Sequence, residues 1–201
     1  ARSLARLDRL AEAQRDVDAV LQLARERGHP RLDQRARLLA CELALAAGDH
    51  DRAFTEATAL LGESSLPRID RLIVTHHAAV AAAHRGGADA FIGTVTAAIE
   101  SARALGLAPL ASDLLLARAS LAPSPGDAVR DLESAVAEIE RIRTTIRAER
   151  LRAAWLGSRT SAYERLALAR LAEATPESLD AAFDAVERSK SRSLLDLVQG
   201  A

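Results

Sequence analysis

Apolar residues recur at intervals of three and four almost everywhere in this chain, and no segment alternates strictly between apolar and polar. That interval matches the 3.6-residue turn of an α-helix, whereas a half-buried strand needs a period of two. Val, Ile, Thr and Tyr are not concentrated in any short run either. The sequence therefore predicts a nearly all-helical protein.

The breaks between the periodic stretches are equally plain: His29-Pro30, Gly48-Asp49, Leu66-Pro67, Gly86-Gly87, Pro123-Ser124-Pro125-Gly126, Gly157-Ser158 and Thr175-Pro176. Several carry a mechanism. Gly48 can adopt the left-handed conformation that ends one helix, and Asp49 can cap the next. In Thr175-Pro176-Glu177, Thr175 can accept a free backbone N–H, Pro176 loses no hydrogen bond at a helix start, and Glu177 meets the positive helix end. Helices are expected at 3–13, 16–27, 30–47, 50–62, 67–85, 88–105, 109–121, 126–156, 159–174 and 176–199.

The glycines at 48, 86 and 126 are spaced at roughly 40 residues, a period typical of helical solenoids. In "RARLLACELALAAGDHDRAFTEATALL", the small residues Cys41 and Ala53 flank Gly48, and Ala79 precedes Gly86 at the same interval as Cys41 precedes Gly48. This pattern resembles the tetratricopeptide (TPR) repeat, in a degenerate form and at a longer spacing than the usual 34 or so residues. The expected architecture is all-α, a TPR-like right-handed superhelix of antiparallel helix pairs. Residues 1–125 would hold the degenerate repeats, and 126–201 a long helix and a C-terminal helical pair.

Such an array presents an inner wall that binds peptides or partner helices. If Gly48 and Gly86 mark equivalent turns, Arg35, Leu38, Glu42, His76, Val80 and Ala83 project into that groove. An error of one residue in the register would rotate each by about 100°.

The stripe Val129, Leu132, Val136, Ile139, Ile142, Ile146 predicts a long helix near 126–156. Its acidic residues come first and its arginines last, which suits the helix dipole. Arg143, Arg147 and Arg150 would share one face as a docking strip for an acidic partner or a neighbouring domain.

The segment "LRAAWLGSRTSAYERLALARLAEATPESLDAAFDAVERSKSRSLLDLVQG" resembles the helices that precede a CHAT domain, the caspase-like domain found joined to TPRs. The match is carried by Ala182-Phe183, by Glu187-Arg188-Ser189-Lys190-Ser191-Arg192-Ser193-Leu194-Leu195-Asp196-Leu197, and by Tyr163. The resemblance implies a regulatory protein–protein interaction module, not itself catalytic, whose C-terminal neighbour in the same chain is a putative cysteine peptidase domain. The single lysine, Lys190, among many arginines and the abundant alanine suggest a GC-rich bacterial genome, and the lone cysteine fits a reducing cytoplasm. The family's catalytic His and Cys belong to that neighbour and map onto no residue here. Arg188, Lys190 and Arg192, like-charged along one helix, would join the arginines at 143, 147 and 150 in docking it. The lack of any Met and the abrupt apolar ending mark the sequence as an expected excised piece.

Other function classes find little support. Lysine and arginine number 27 against 28 acidic residues, and aromatic residues make up 2% of the chain. The basic field and the stacking platforms of nucleic-acid binders are thus both missing. No stretch is apolar enough to span a membrane. A single cysteine, Cys41, allows no internal disulfide, and its mid-helix setting reads as packing. His76, His77 and His84 lack the i, i+4 ligand spacing of a metal site, so no metal or other cofactor is expected. Gly86-Gly87 fits no phosphate-binding fingerprint. The alternative is a ligand- or partner-sensing helical arm of a bacterial transcriptional regulator, separated from the first reading by whether a Cys/His-bearing domain or a helix-turn-helix follows.

Overall fold

The same three hydrogen bonds recur at each of three sites along the backbone and explain how the helices are joined. The computed structural model of the chain describes residues 9–86, 89–148, 151, 155 and 159–198, with side chains at 89, 90 and 190–198 excluded. Within these residues lie α1 (Leu10–Glu26), α2 (Pro30–Ala46), α3 (His50–Leu61), α4 (Arg68–Arg85), α5 (Asp89–Ala104), α6 (Ala108–Leu121), α7 (Pro125–Thr145), α8 (Thr160–Glu173) and α9 (Pro176–Val198). No strand occurs among the described residues.

After α1, α2 and α5 the chain turns on a glycine at positive φ: Gly28 (61°), Gly48 (75°) and Gly106 (69°). In each turn the next residue, His29, Asp49 or Leu107, donates its N–H to the carbonyl of Ala24, Ala44 or Ala102, at 2.8, 2.9 and 2.8 Å. The glycine N–H bonds to Arg25, Leu45 or Arg103 in the same order. This is the Schellman closure, which satisfies carbonyls that a helix end leaves open. The residue after the glycine also opens the next helix, since its carbonyl accepts from Asp33, Ala53 or Ala111. One residue serving both helices forces a three-residue link. The three alanine acceptors are 0–3% exposed, so each is packed beneath its turn.

The caps expected at Asp49 and Thr175 form, and Ser124 adds a third. Asp49 accepts the Arg52 N–H at 3.1 Å, and Ser124 accepts that of Asp127 at 3.2 Å. Thr175 and Ser178 exchange backbone-to-side-chain bonds at 3.0 and 3.1 Å, so α9 begins at Pro176 as expected.

Three expectations are corrected. A single helix, α1, runs through 14 and 15 where a break between two helices was expected, because no Gly or Pro interrupts it and Gln14 bonds Asp18 at 2.8 Å along its surface. The long helix expected over 126–156 stops at Thr145, with Ile146 extended. There the hydroxyls of Thr144 and Thr145 bond the carbonyls of Arg141 and Ile142 at 2.8 and 2.7 Å. Stiff β-branched residues whose hydroxyls bind the preceding turn are poor helix propagators. Finally, Gly126 lies in the first turn of α7, so it is no counterpart of Gly48.

The chain divides into two compact units, 1–95 and 96–201. In the first, α2 packs on α1, α3 and α4. Leu38 and Cys41 of α2 meet Ala57 and Leu60 of α3 and Val74 and Ala78 of α4. The six-residue link between α3 and α4 is held by Arg71, which donates to the carbonyls of Leu61 and Glu63 at 2.6 Å each. Gln34 reaches Glu63 and Ser65 at 2.8 Å each, and Arg37 pairs with Glu56 and Glu63.

In the second unit, α6 packs on α7, α7 on α8, and α8 on α9. The turn at 123–126 lies inside this unit, between α6 and α7. Its core joins Val129, Leu132, Val136 and Ile139 of α7 to Tyr163 and Leu166 of α8 and to Ala182 and Ala185 of α9. Asp131, 8% exposed, takes a two-pronged bond from Arg118 of α6 at 2.6 and 2.8 Å. Such a planar fork is the arrangement that makes a buried carboxylate tolerable.

Candidate functional site

The second unit carries a cleft of about 540 Å³ built from three helices. One wall is α7, with Glu133, Val136, Ala137 and Glu140; the other is α9, with Ala181, Asp184, Ala185 and Arg188. The floor is α8, with Tyr163, Leu166 and Arg170. Both walls follow the spacing i, i+3, i+4, i+7, which is one face of a helix. Val136, part of the apolar stripe that roots α7 in the core, thus also lines the cleft.

Polar groups at both ends are tied to each other. At one end the Tyr163 hydroxyl donates to one Glu140 oxygen, while Arg143 donates to the other at 3.0 Å. Tyr163 is 2% exposed. Burial raises its phenol above the ordinary tyrosine range, against a smaller opposite pull from Arg143 and Arg188, so it stays a hydrogen-bond donor. At the other end Arg170 binds Glu173 at 2.9 Å and also pairs with Glu133. The hydrogen bonds it donates to these two carboxylates raise its pKa further.

Asp184 and Arg188 differ. They stand one turn apart on the α9 wall, both exposed, and neither makes an ion pair or hydrogen bond among the described residues. Chemically, the cleft offers an apolar strip between locked polar ends, with one exposed charge of each sign, not ion-paired among the described residues, along a rim.

A second cleft of about 590 Å³ lies beside the α1–α2 turn, lined by Asp33, Gln34, Arg37, Glu56 and Glu63 among others. Its charges are consumed by the ties that hold α2 to α3 and to the link after it. Those ties are structural, and the α7–α9 cleft is the better candidate.

The residues expected to line a groove on α2 and α4 are not gathered into one. Arg35 pairs with Asp70 across α2 and α4 at 2.8 Å. Leu38 does not project at all: it is 2% exposed and sits in the core against Cys41 and Val74. Glu42 is exposed, whereas His76, Val80 and Ala83 are half-buried. Of the expected arginine strip, Arg143 belongs to α7 and is engaged with Glu140, while Arg147 lies beyond the helix end and so leaves the shared face. Arg150 and the side chains of Lys190 and Arg192 lie outside the described residues. Arg188 alone reaches the cleft.

Among the described residues no group of three or more His, Cys, Asp and Glu could hold a metal ion. His84 stacks on His50 with ring centres 3.9 Å apart, while His77 is buried on α4. Cys41 is fully buried, and burial pushes its thiol up to about 12, so it packs as a small apolar group. No helix among the described residues is long and apolar enough to cross a membrane.

Sequence reasoning placed Val136 on an apolar stripe and singled out Tyr163 and Arg188, but did not bring them together. The recurring spacing on both walls was readable, whereas which faces meet depends on how α7, α8 and α9 pack. No family model matches this chain, and neither does any curated protein or solved structure.

Proposed function

We propose that this chain is a protein–protein interaction module of helical-repeat type, TPR-like in architecture and not itself catalytic. One observation carries the reading: the α7–α9 cleft is an open apolar strip between helices whose ionisable end groups are committed to each other. A catalytic centre needs an acid, base or nucleophile free to face a substrate. Here the phenol and the arginine act as struts, and the carboxylate left unpaired, Asp184, is exposed on the rim with no second unpaired carboxylate among the residues that line the cleft. The repeated Schellman turns support the architecture, because stacked helical hairpins joined this way build quasi-linear arrays with a continuous surface.

The resemblance of Ala182-Phe183 and the Glu187–Leu197 stretch to the helices before a CHAT domain extends the proposal. In that arrangement α9 leads toward a caspase-like domain of the same chain, and partner binding on the helical module regulates it. Arg188 would then sit between the partner-binding cleft and that domain.

The test is capture of partners from an extract of the source organism by the immobilised chain, followed by cross-link mapping. A discrete protein cross-linked to the helical surface is expected. Failure to retain any protein, or turnover of a peptide substrate by this chain alone, would overturn the reading. The encoded sequence after Ala201 tests the extension: a Cys/His-bearing α/β domain is expected, and a helix-turn-helix domain would transfer the reading to a sensing arm of a transcriptional regulator.

A further inference from the structure

We infer that the α7–α9 cleft is the seat for one amphipathic helix of a separate protein, whose small apolar stripe carries a basic and an acidic residue one turn apart to meet Asp184 and Arg188. The inference rests on the interaction-module reading and names the partner's chemistry.

The shape argument comes first. From Glu133 to Glu140 the α7 wall spans two helical turns, roughly 10 Å at 1.5 Å per residue. Ala137 and Ala181 face the opening from opposite walls, and Ala185 lies deeper. Small residues on both walls let a third backbone approach to about 8–10 Å, the ordinary distance between packed helices. The ridge of a guest helix repeats with the same three- and four-residue spacing as both walls, so it can interdigitate with them. A peptide that binds by adding to a strand edge finds none here, since no strand exists among the described residues.

Charge then selects the guest. Asp184 and Arg188 have the i, i+4 spacing at which opposite charges on a helix ordinarily pair. They make no such bond, nor one to any other described residue. Both stand where the guest would lie, so a guest helix with complementary charges satisfies them without disturbing the Tyr163–Glu140 or Arg170–Glu133 struts. The cleft's lining comes from α7, α8 and α9 only, so among the described residues no helix of this chain fills it.

The test uses the 201-residue chain and two alanine-rich helical peptides of about 16 residues, long enough to hold helix in water. Each has Leu and Ala on one stripe. In one, Glu and Lys stand four positions apart on that stripe; in the other, both positions are Lys. The wild type is expected to prefer the Glu/Lys peptide by about fivefold whichever way the guest runs, the effect of one matched against one opposed surface charge. Amide shifts should concentrate at Ala137, Ala181 and Ala185. The double variant Asp184→Glu with Arg188→Glu, at two exposed positions, should fold normally and reverse the preference.

Several results would overturn the inference: no binding of either peptide, equal binding of both by wild type, or an unchanged preference in the double variant. So would concentration-dependent dimerisation of the wild type that Asp184→Arg abolishes, because a second copy would then be the occupant. If partners captured from extract persist in the double variant while both peptides fail, the module reading stands and this inference alone falls.

Discussion

In the first unit α3 lies beneath α2 and α4, which pack on each other, and in the second α8 lies beneath α7 and α9, which form the two walls of the cleft. The middle helices differ in what they put under their neighbours. From α3 come Ala53 and Ala57, both fully buried, and α2 and α4 close over them and pack on each other. From α8 come Tyr163, Leu166 and Arg170, which fill the floor while α7 and α9 stand as separate walls. Both middle helices bury small residues, Ala53 and Ala57 on α3 and Ala162 and Ala167 on α8, and both bury a leucine, but only α8 adds a tyrosine ring between its neighbours.

The largest expected effect comes from removing that ring. Tyr163→Ala deletes a side chain that is 2% exposed. It should destabilise the second unit by about 3–5 kcal/mol, the usual range for a buried aromatic replaced by alanine. Urea denaturation measures it. A loss well under 1 kcal/mol would show that the tyrosine does not hold the walls apart.

The converse change adds volume to the first unit. Ala57→Leu puts a large side chain where there is no exposed surface, at a cost of about 1–3 kcal/mol from overpacking. It should also part α2 from α4. Cys41 reports this, since it shares a core cluster with Ala57. With its thiol pushed up to about 12, alkylation at pH 8 should be very slow in the wild type and faster in the variant. An unchanged rate would mean that α2 and α4 do not respond to volume on α3.

Smaller again is the cap. Asp49→Ala removes the acceptor for the Arg52 N–H and should lower stability by about 1 kcal/mol. Thermal melting shows whether the loss falls on the first unit alone.

The subtlest contrast is with acid. In the first unit, hydrogen bonding from Gln34 holds the Glu63 carboxyl below its ordinary value of 4.5, burial opposes this, and Arg37 adds to it. In the folded state Glu63 therefore binds its proton less readily than when unfolded. Its contribution is complete above about pH 4.5 and declines as pH falls through the lower folded value. Gln34→Leu should flatten that decline in a pH series of urea titrations. An unchanged slope would show that Gln34 does not set the carboxyl's acidity.

The same two units show what the sequence alone could tell. Local rules were legible: Asp49 and Thr175 cap where their types and neighbours require, and Gly48 turns as expected. Gly106 makes the same turn with the same Ala four residues before it, but without a capping side chain after it, and it was passed over. The α7 helix read too long because the apolar stripe continues to Ile146, while the competing bonds of Thr144 and Thr145 leave no mark on periodicity. Leu38 illustrates the limit more sharply. Its helix was placed correctly, but its direction depends on what α3 and α4 put beside it. The cleft is of this kind, since three separate stripes become a site only when α8 sets their separation.

The most direct test is to map the contact surface of a captured partner on this chain by amide chemical shifts. The account predicts a cluster of shifts at Ala137, Tyr163, Ala181, Asp184 and Arg188, with the first unit unaffected. Shifts centred instead on Arg35, His76 and Val80 of α2 and α4 would contradict it.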